Sequence, residues 1–207
     1  MPTDSILPRA TGQWMDAEGG PRWWFDSGSL ALDFASIGGQ HMTDSPPELM
    51  AAWLVDRFPE IASAPGAHEL RDGDILRAAI ARLAAHASRG EPLAPEDVDV
   101  VNLFAAMPDI PPVLAGGSRQ AGRSAARPQQ ALGSIARDAV RVFGPDIEGR
   151  IRECDADDCE LVYLDTSRSG TRRWCSMQRC GNRAKVRAHR ARAARSARPL
   201  AGASAPQ

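Results

Sequence analysis

Four cysteines lie between positions 154 and 180 of the 207-residue chain, and no other feature constrains its fold as strongly. Four residues separate the members of each pair, and fifteen residues separate the two pairs. Zinc binds four thiolates in a tetrahedron, and two short-spaced cysteine pairs joined by a connector supply that ligand set from two turns of chain. The spacing therefore predicts a zinc site with four ligands, Cys154, Cys159, Cys175 and Cys180.

Three other roles for these cysteines fit the sequence less well than a structural zinc site. Two disulfides would also give an even cysteine count, but such bonds persist in oxidising compartments. Oxidation of the thiolates could release the metal as a redox switch, although nothing in the sequence requires it. A catalytic zinc keeps an open position beside three protein ligands, whereas four cysteines close the shell. A structural ion would contribute apparent binding energy on the order of 10 kcal/mol to folding.

The compartment is predicted from two absences in the sequence. No apolar run approaches the roughly 20 residues that a membrane helix needs, and the first residues lack the basic start and apolar stretch of a signal peptide. We therefore expect a cytoplasmic protein without membrane contact. In that reducing environment, clustered cysteines are more often metal ligands than disulfides.

The charge is divided unevenly along the chain. Residues 168–198 contain ten arginines, one lysine and no acidic residue, whereas the remainder carries 14 arginines against 26 acids. The formal net charge of -1 hides this division. A cationic segment of this kind is typical of proteins that bind nucleic acid, although a solvated charged tail would have the same composition.

The connector between the cysteine pairs predicts a β-hairpin. Residues 161–164 have the composition of a strand, 166–171 that of a glycine-containing turn, and 172–175 that of a returning strand. Cys180 then lies where a long helical segment begins. The predicted order of knuckle, hairpin and helix is that of a treble-clef-like zinc finger.

The helical segment 182–197 is rich in alanine and would be roughly 24 Å long. Its cations concentrate on one face that holds Arg183, Arg187, Arg190 and Arg198, with Arg195 beside it. Arginine forks suit phosphate oxygens and guanine edges, and the major groove of DNA admits a helix. The alternative is that the cations nearest the site only balance its charge of about −2, since four thiolates surround a divalent ion.

The residues before the finger predict a mainly helical α+β domain over 22–149, preceded by a flexible segment 1–21. Its aromatic start fits either a strand or a helix over 30–37. Helices are expected from Pro46 to Pro59, from Asp72 or Asp74 to Gly90, from Pro95 onward, and over 130–144, with a mobile loop at 108–130. The finger with its basic helix would occupy 150–198, followed by a disordered tail, 199–207.

Helical spacing also predicts which side chains of this domain face inward. The predicted set comprises Leu49, Met50, Trp53, Leu54, Phe58, Ile75, Leu76, Ala79, Ile80, Leu83, Ala87, Val98, Val101, Phe104, Ala105, Leu132, Ile135, Ala136, Ala139, Val140 and Phe143. Trp23, Trp24 and Phe25 are expected at the core or its edge. Four polar residues, Asp26, Asp33, His41 and Asp44, are close in sequence, but closeness in sequence is not a catalytic geometry, and we predict no enzyme.

The C-terminal segment resembles the CGNR zinc-finger family, which is named for the residues that stand here as Cys180, Gly181, Asn182 and Arg183. The surrounding stretches LDTSRSGTRRWCSM and NRAKVRAHR also match that family. The upstream part resembles the ABATE domain through FDSGSLALDF, the helical middle and IARDAV. The resemblance implies zinc on the four cysteines, a DNA-binding finger, and a bacterial transcription regulator whose first domain senses a ligand or stress.

These observations lead to a set of expected partners. We expect double-stranded DNA, an unidentified small-molecule effector, and a homodimer formed through the first domain. The predicted nucleic-acid contacts are Arg172, Arg173, Arg179, Arg183, Lys185, Arg187 and Arg190. The acids between the first two cysteines, Asp155, Asp157 and Asp158, should face away from DNA because they would repel phosphate.

Two other functions remain open. RNA binding would need bases to stack on aromatic side chains, and near the basic helix only Trp174 and Tyr163 are available in sequence. Alternatively, the finger mediates protein contacts, and its basic helix docks on an acidic surface.

Overall fold

The computed structural model describes residues 9–17, 20–39, 46–112, 125–147 and 149–196. Within these ranges it contains six α-helices and two small antiparallel sheets, each of two strands. The α+β class with a C-terminal cysteine cluster is therefore confirmed. His41, Asp44, Arg198, the tail 199–207 and residues 113–124 of the predicted loop at 108–130 lie outside the described residues. The loop prediction was wrong at its end, because residues 128–130 belong to a helix.

The chain begins with a β-hairpin where a flexible segment was expected. Strand β1 (Gln13–Ala17) pairs with β2 (Gly20–Phe25), with Met15 opposite Trp23. The prediction of a flexible segment 1–21 is therefore wrong for Gln13–Ala17 and for 20–21, whereas 1–8 and 18–19 lie outside the described residues. The hairpin forms because alternate residues pack on one side: Met15, Trp23 and Phe25 are buried, while Trp24 is 42% exposed.

The ambiguous stretch after the hairpin is a helix, α1 (Leu30–Ala35). The Ser29 side chain decides this, because its hydroxyl accepts the Leu32 backbone N–H at 3.3 Å and so caps the helix. The helix buries five consecutive residues, Leu30 to Phe34, which a single strand face could not do, because successive side chains of a strand point to opposite faces.

Four longer helices complete the first domain. These are α2 (Pro47–Arg57), α3 (Ala67–Ser88), α4 (Pro95–Ala105) and α5 (Pro128–Val142). The residue that caps α3 is Gly66 and not Asp72 or Asp74, because the Glu69 carboxylate accepts the Gly66 N–H at 3.0 Å. Its predicted end is confirmed at Gly90, which has a φ of +68°.

The helices pack around one apolar core. Most predicted inward residues lie in it: Met50, Trp53, Leu54, Phe58, Leu76, Ala79, Ile80, Leu83, Val101, Phe104, Leu132, Ile135, Ala136 and Ala139. Leu49, Ile75 and Val140 were wrongly predicted and are about half exposed. Each lies at the border of its helix's apolar stripe, where spacing alone cannot tell the last buried position from the first exposed one.

The predicted strand over 161–164 exists, but it does not pair with 172–175 as predicted. Strand β4 (Val162–Leu164) pairs with β3 (Ile151–Glu153), which precedes the first cysteine, so the knuckle lies at the tip of this hairpin. Residues 172–175 are not a strand. The Asp165 carboxylate accepts the Arg172 N–H at 2.9 Å, and the Arg173 carbonyl accepts the Asp155 N–H at 2.9 Å, so other bonds satisfy this backbone.

The first hairpin belongs to the core of the cysteine module. Met15, Trp23 and Phe25 form one buried cluster with Tyr163 and the four cysteines. A second cluster joins Leu32 of α1 to the strands β3 and β4. The C-terminal module is therefore continuous with the rest of the molecule through two apolar contacts.

Candidate metal centre and nucleic-acid interface

The fold brings the four cysteines together in a buried cluster. All four Sγ atoms lie within 4.8 Å of one another. The Sγ of Cys175 is 3.5 Å from that of Cys159 and 3.4 Å from that of Cys180. Four sulfurs at the corners of a tetrahedron around an ion 2.3 Å away would be roughly 3.8 Å apart. The cluster therefore fits a tetrahedral metal ion.

Each pair of cysteines is presented by a different turn. Cys154 and Cys159 flank the knuckle, where the Cys154 N–H donates to the Leu161 carbonyl at 3.0 Å and the Cys159 N–H to the Ala156 carbonyl at 2.9 Å. Cys180 lies in a π-helical turn, Met177–Gly181, that leads directly into α6 (Asn182–Ser196). The predicted place of the last cysteine at the start of the basic helix is confirmed.

The thiols of Cys154, Cys159 and Cys175 cannot all ionise by themselves. Hydrogen bonds from the Cys159 and Cys175 thiols lower the pKa of Cys154 to about 2. The hydrogen bond to Cys154 raises the pKa of Cys159 to about 12, and the pKa of Cys175 is raised as well by its bonds to the other two sulfurs. One thiolate is stabilised at the expense of its neighbours, so a set of four thiolates needs a cation.

The residues Cys180 to Arg183, which read CGNR, support the cysteine cluster on the side where α6 begins. A Cβ on Gly181 would lie 2.9 Å from the Met177 Sδ and 3.3 Å from the Trp174 ring, so glycine permits a close approach. The Asn182 side chain donates to the Gln178 carbonyl at 3.2 Å. Arg183 donates to the Cys180 Sγ at 3.1 Å, which places a positive charge beside a sulfur.

Arg172 lies inside the module. Its guanidinium donates to the backbone carbonyls of Trp174 at 3.0 Å, Cys175 at 2.5 Å and Asp26 at 2.9 Å. It also stacks on the buried Tyr163 ring, 4.1 Å from the ring centre. These contacts join the second cysteine pair to the end of β2, and they commit Arg172 to holding the module together.

The other predicted contact residues divide into engaged and free cations. Arg173 pairs with Asp155 at 2.7 Å, and Arg179 lies 4.7 Å from the centre of the Trp23 ring. Lys185 and Arg190 are exposed on α6, and within the described ranges neither makes a hydrogen bond or an ion pair. The seven residues are therefore gathered around one module but differ in what they already contact.

The acids of the knuckle face the basic helix. Asp158 accepts hydrogen bonds from Arg183 at 2.8 Å and from Arg187 at 3.1 Å, and Asp157 lies 3.3 Å from Arg187. Partial burial raises the pKa of Asp158, but the hydrogen bond from Arg187 and the charge of Arg183 outweigh it and hold that pKa below its usual range. The sequence predicted that these acids face away from DNA and that Arg183 and Arg187 contact DNA. The two predictions conflict, because the acids and these arginines lie side by side.

Sequence reasoning missed the contribution of the first hairpin. Trp23 and Phe25 were expected at a core, but nothing local indicates that this core is the one around the cysteines, more than 120 residues away. The aromatic residues of QWMDA and PRWWF, a residue type enriched in strands, were the available signal.

A cavity of about 630 Å³ lies between the helical domain and the finger, beside the apolar contacts that join them. Its walls come from α1, α3 and the start of β4, and alanines form much of its apolar surface. The nearly buried Arg77 lines it, as do Arg89 and Glu153, which pair with each other at 3.7 Å. The cavity therefore combines an apolar surface with charged groups from both parts of the chain.

Together these features define a class of protein: a mainly helical domain joined to a compact four-cysteine module of the zinc-finger type. The family model of the CGNR zinc finger matches residues 150–193. The ABATE family model, described as "Putative stress-induced transcription regulator", matches residues 28–145. Because this match covers more than half of the chain, the chain belongs to the ABATE family, and both resemblances inferred from the sequence are confirmed.

The matched families are of regulatory or zinc-finger type, and neither is a family of enzymes. No curated protein matches the chain. Within the described ranges, none of the helices combines the length and the apolarity that crossing a bilayer requires.

Proposed function

We propose that this protein is a cytoplasmic, zinc-dependent transcription regulator that binds double-stranded DNA through its C-terminal module and catalyses no reaction. One observation carries the proposal: a helix without any acidic residue, Asn182–Ser196, leaves a buried four-cysteine centre and is exposed along its length. Membership of a family described as a transcription regulator supports the same conclusion.

Zinc is the proposed ion because of the donor set. Four thiolates in a tetrahedron suit zinc, and they leave no position open for water or substrate. The same four-sulfur set would also suit iron, which metal analysis separates from zinc. With zinc bound, the centre carries a charge of about −2, and Arg183 balances part of it.

The metal centre would set the direction of the helix. Cys180 and α6 are joined by two peptide bonds, and Arg183 reaches back from the first turn of α6 to the Cys180 sulfur. A rigid start aims the cations of α6 as a group, which a free chain end could not do. The module that carries the seven cations predicted from the sequence is the proposed DNA-binding part of the chain.

Affinity for DNA should come mainly from phosphate contacts. Each cation that neutralises a phosphate releases a counterion, so the logarithm of the binding constant falls with the logarithm of salt concentration. Fluorescence anisotropy on a short random-sequence duplex over a salt series measures this slope. We expect salt-dependent binding by the zinc-loaded chain and a large loss of affinity after chelation.

Two results would contradict the proposal. Metal analysis of purified protein without a stoichiometric ion would refute the zinc site. A zinc-loaded chain without affinity for duplex DNA at low salt would refute the DNA-binding role.

RNA is the second candidate, and one structural feature favours it. The groove between the first hairpin and 167–178 is lined by Trp24 and Trp174, so the fold adds an aromatic side chain that sequence neighbours did not supply. Tyr163, in contrast, is fully buried and cannot stack on a base. Competition by single-stranded RNA against bound duplex DNA distinguishes the two polymers.

The cavity between the helical domain and the finger is the proposed effector site. Its volume falls within the range of small-molecule pockets, and arginines and glutamates both line it, so it would suit a small zwitterion with an apolar body. Melting of the zinc-loaded chain with a panel of apolar amino acids and their matching carboxylates tests this, with Ala81→Leu as the variant that fills the cavity. The homodimer stays a prediction, for which sedimentation analysis is the test.

A further inference from the structure

Helix α6 has two cationic faces, and the knuckle covers one of them. At about 100° per residue, Arg183, Arg187 and Arg190 lie on one side, which we term the inner face. Lys185, His189 and Arg192 lie on the opposite side, which we term the outer face. The sequence alone gave reason to favour the inner face, because it collects more arginines.

The inner face is electrostatically compensated where it meets the knuckle. Arg190 makes no ion pair within the described residues, but it lines the same groove as Asp158. Arg183 and Arg187 share Asp158, and Arg187 also contacts Asp157, with nitrogen to oxygen distances of 2.8 to 3.3 Å. These acids lie between two cysteines of the metal centre, so their backbone cannot move away from the helix without disturbing the ligands. A phosphate that approached this face would meet two carboxylates as well as two guanidinium groups.

The outer face has the opposite character. Lys185, His189 and Arg192 are exposed, and in the part of the chain that the structure describes none of them makes a hydrogen bond or an ion pair. Helix α6 contains no acidic residue that could compensate them. Lys185 and Arg192 are seven residues apart, or roughly 10 Å along the helix axis, so they can reach separate phosphates.

We propose that the outer face of α6, formed by Lys185, His189 and Arg192, is the surface that contacts the phosphates of duplex DNA, whereas the knuckle acids compensate the charges of Arg183 and Arg187. This inference rests on the proposed function and specifies which residues of that site contact the polymer. It resolves the conflict between the two sequence predictions, because the acids then face away from DNA.

The test compares two double variants of the full zinc-loaded chain that lose the same charge. Lys185→Gln/Arg192→Gln alters the outer face, and Arg187→Gln/Arg190→Gln alters the inner face. Binding of both to a short random-sequence duplex is measured over a salt series. Zinc content and melting temperature are recorded for each variant, so that a folding defect is not mistaken for lost contacts.

We expect the outer-face variant to bind on the order of tenfold to a hundredfold more weakly and its salt slope to fall by about 1.8, since each phosphate contact contributes about 0.9. The inner-face variant should lose less than about threefold in affinity and keep its slope, because only long-range charge changes there. A third variant, Asp157→Asn/Asp158→Asn, should increase affinity only slightly if phosphates do not approach the inner face.

Any other outcome would contradict either the assignment of the outer face or the proposed function. Equal losses in the two double variants, or a larger loss in the inner-face variant, would overturn the assignment of the outer face. A large gain in affinity from the aspartate variant would do the same, since it would mean that phosphates compete with those acids. Absence of binding by the unchanged zinc-loaded chain would instead overturn the proposed function itself.

Discussion

At the scale of single residues, several side chains join the two parts of the chain. Gly28 lies where the first domain meets β4, with the Leu164 N–H donating to the Ser27 carbonyl at 2.7 Å. Its φ is +77°, and a Cβ there would lie 2.9 Å from the Leu164 carbonyl oxygen. Both the backbone conformation and the close approach require glycine.

Replacing this glycine should therefore cost more than conformational strain alone. We expect Gly28→Ala to lower the free energy of unfolding by about 2 to 4 kcal/mol, since strain and overpacking act together. Gly90→Ala is the control, because Gly90 has a similar φ of +68° but open space around it. Equal losses in denaturant unfolding of the two variants would show that the contact with Leu164 contributes nothing.

Asp33 is a second informative residue, because its carboxylate is fully buried. It accepts the Gly12 N–H at 2.6 Å and the Ser27 N–H at 3.3 Å, yet burial raises its pKa to about 6. Since the pKa is higher in the folded state, protonation favours folding. The contribution of Asp33 to stability is therefore greatest below about pH 4 and declines as the pH rises toward 6.

The titration of Asp33 can be observed directly. In a protein labelled with carbon-13 at the aspartate carboxyls, one resonance should titrate with a midpoint near 6, well above the others. Asp33→Asn should remove that resonance and leave the remaining titrations unchanged. A midpoint at or below the ordinary value for aspartate would refute the effect of burial.

At the scale of elements, the first hairpin acts as part of the finger although neither family match includes it. Its buried face packs on the four cysteines and Tyr163, while its other face carries an edge-to-face pair, Trp14 and Trp24, at 5.5 Å between ring centres. The core of the metal centre is therefore assembled from segments at opposite ends of the chain.

Only the buried face of the first hairpin should stabilise metal binding. Phe25→Ala would remove a fully buried ring, and we expect a loss of about 3 to 5 kcal/mol in stability together with faster transfer of zinc to a chelator. Trp24→Ala changes the adjacent residue on the exposed face and should leave zinc transfer nearly unchanged. If both variants released zinc at the rate of the parent chain, the hairpin would be dispensable for the centre.

At the scale of the whole molecule, the helical core and the metal centre differ in what holds them. The core of α2 to α5 is built from buried apolar side chains. The second core surrounds four cysteines that need a cation to ionise together. Loss of the ion should consequently affect the two cores unequally.

Metal removal should unfold the finger and the first hairpin as a unit. After chelation we expect amide hydrogen exchange to lose protection in 13–25 and 150–181, whereas α3 and α5 keep theirs because their core contains no cysteine. Readdition of zinc should restore both segments. Retained protection of 13–25 in the chelated protein would mean that the hairpin folds independently of the centre.

Features of the fold that depend on local spacing could be predicted without coordinates. Two cysteine pairs with four residues inside each predict the ligand set, and prolines at the helix starts, with Gly90 at an end, predict most helix boundaries. These features are readable because ligand knuckles and helix caps involve residues only a few positions apart. The charge division along the chain was likewise visible without coordinates.

Which distant segments meet is visible only in the packed molecule. The partner of β4 lies before the first cysteine, the hairpin that completes the metal core lies near the other end of the chain, and the knuckle acids cover one face of α6. Such contacts depend on how apolar faces and charges combine between segments that are not adjacent in sequence, which no local pattern records. For that reason, helical spacing could identify two cationic faces on α6, but only the packed molecule distinguishes the compensated face from the free one.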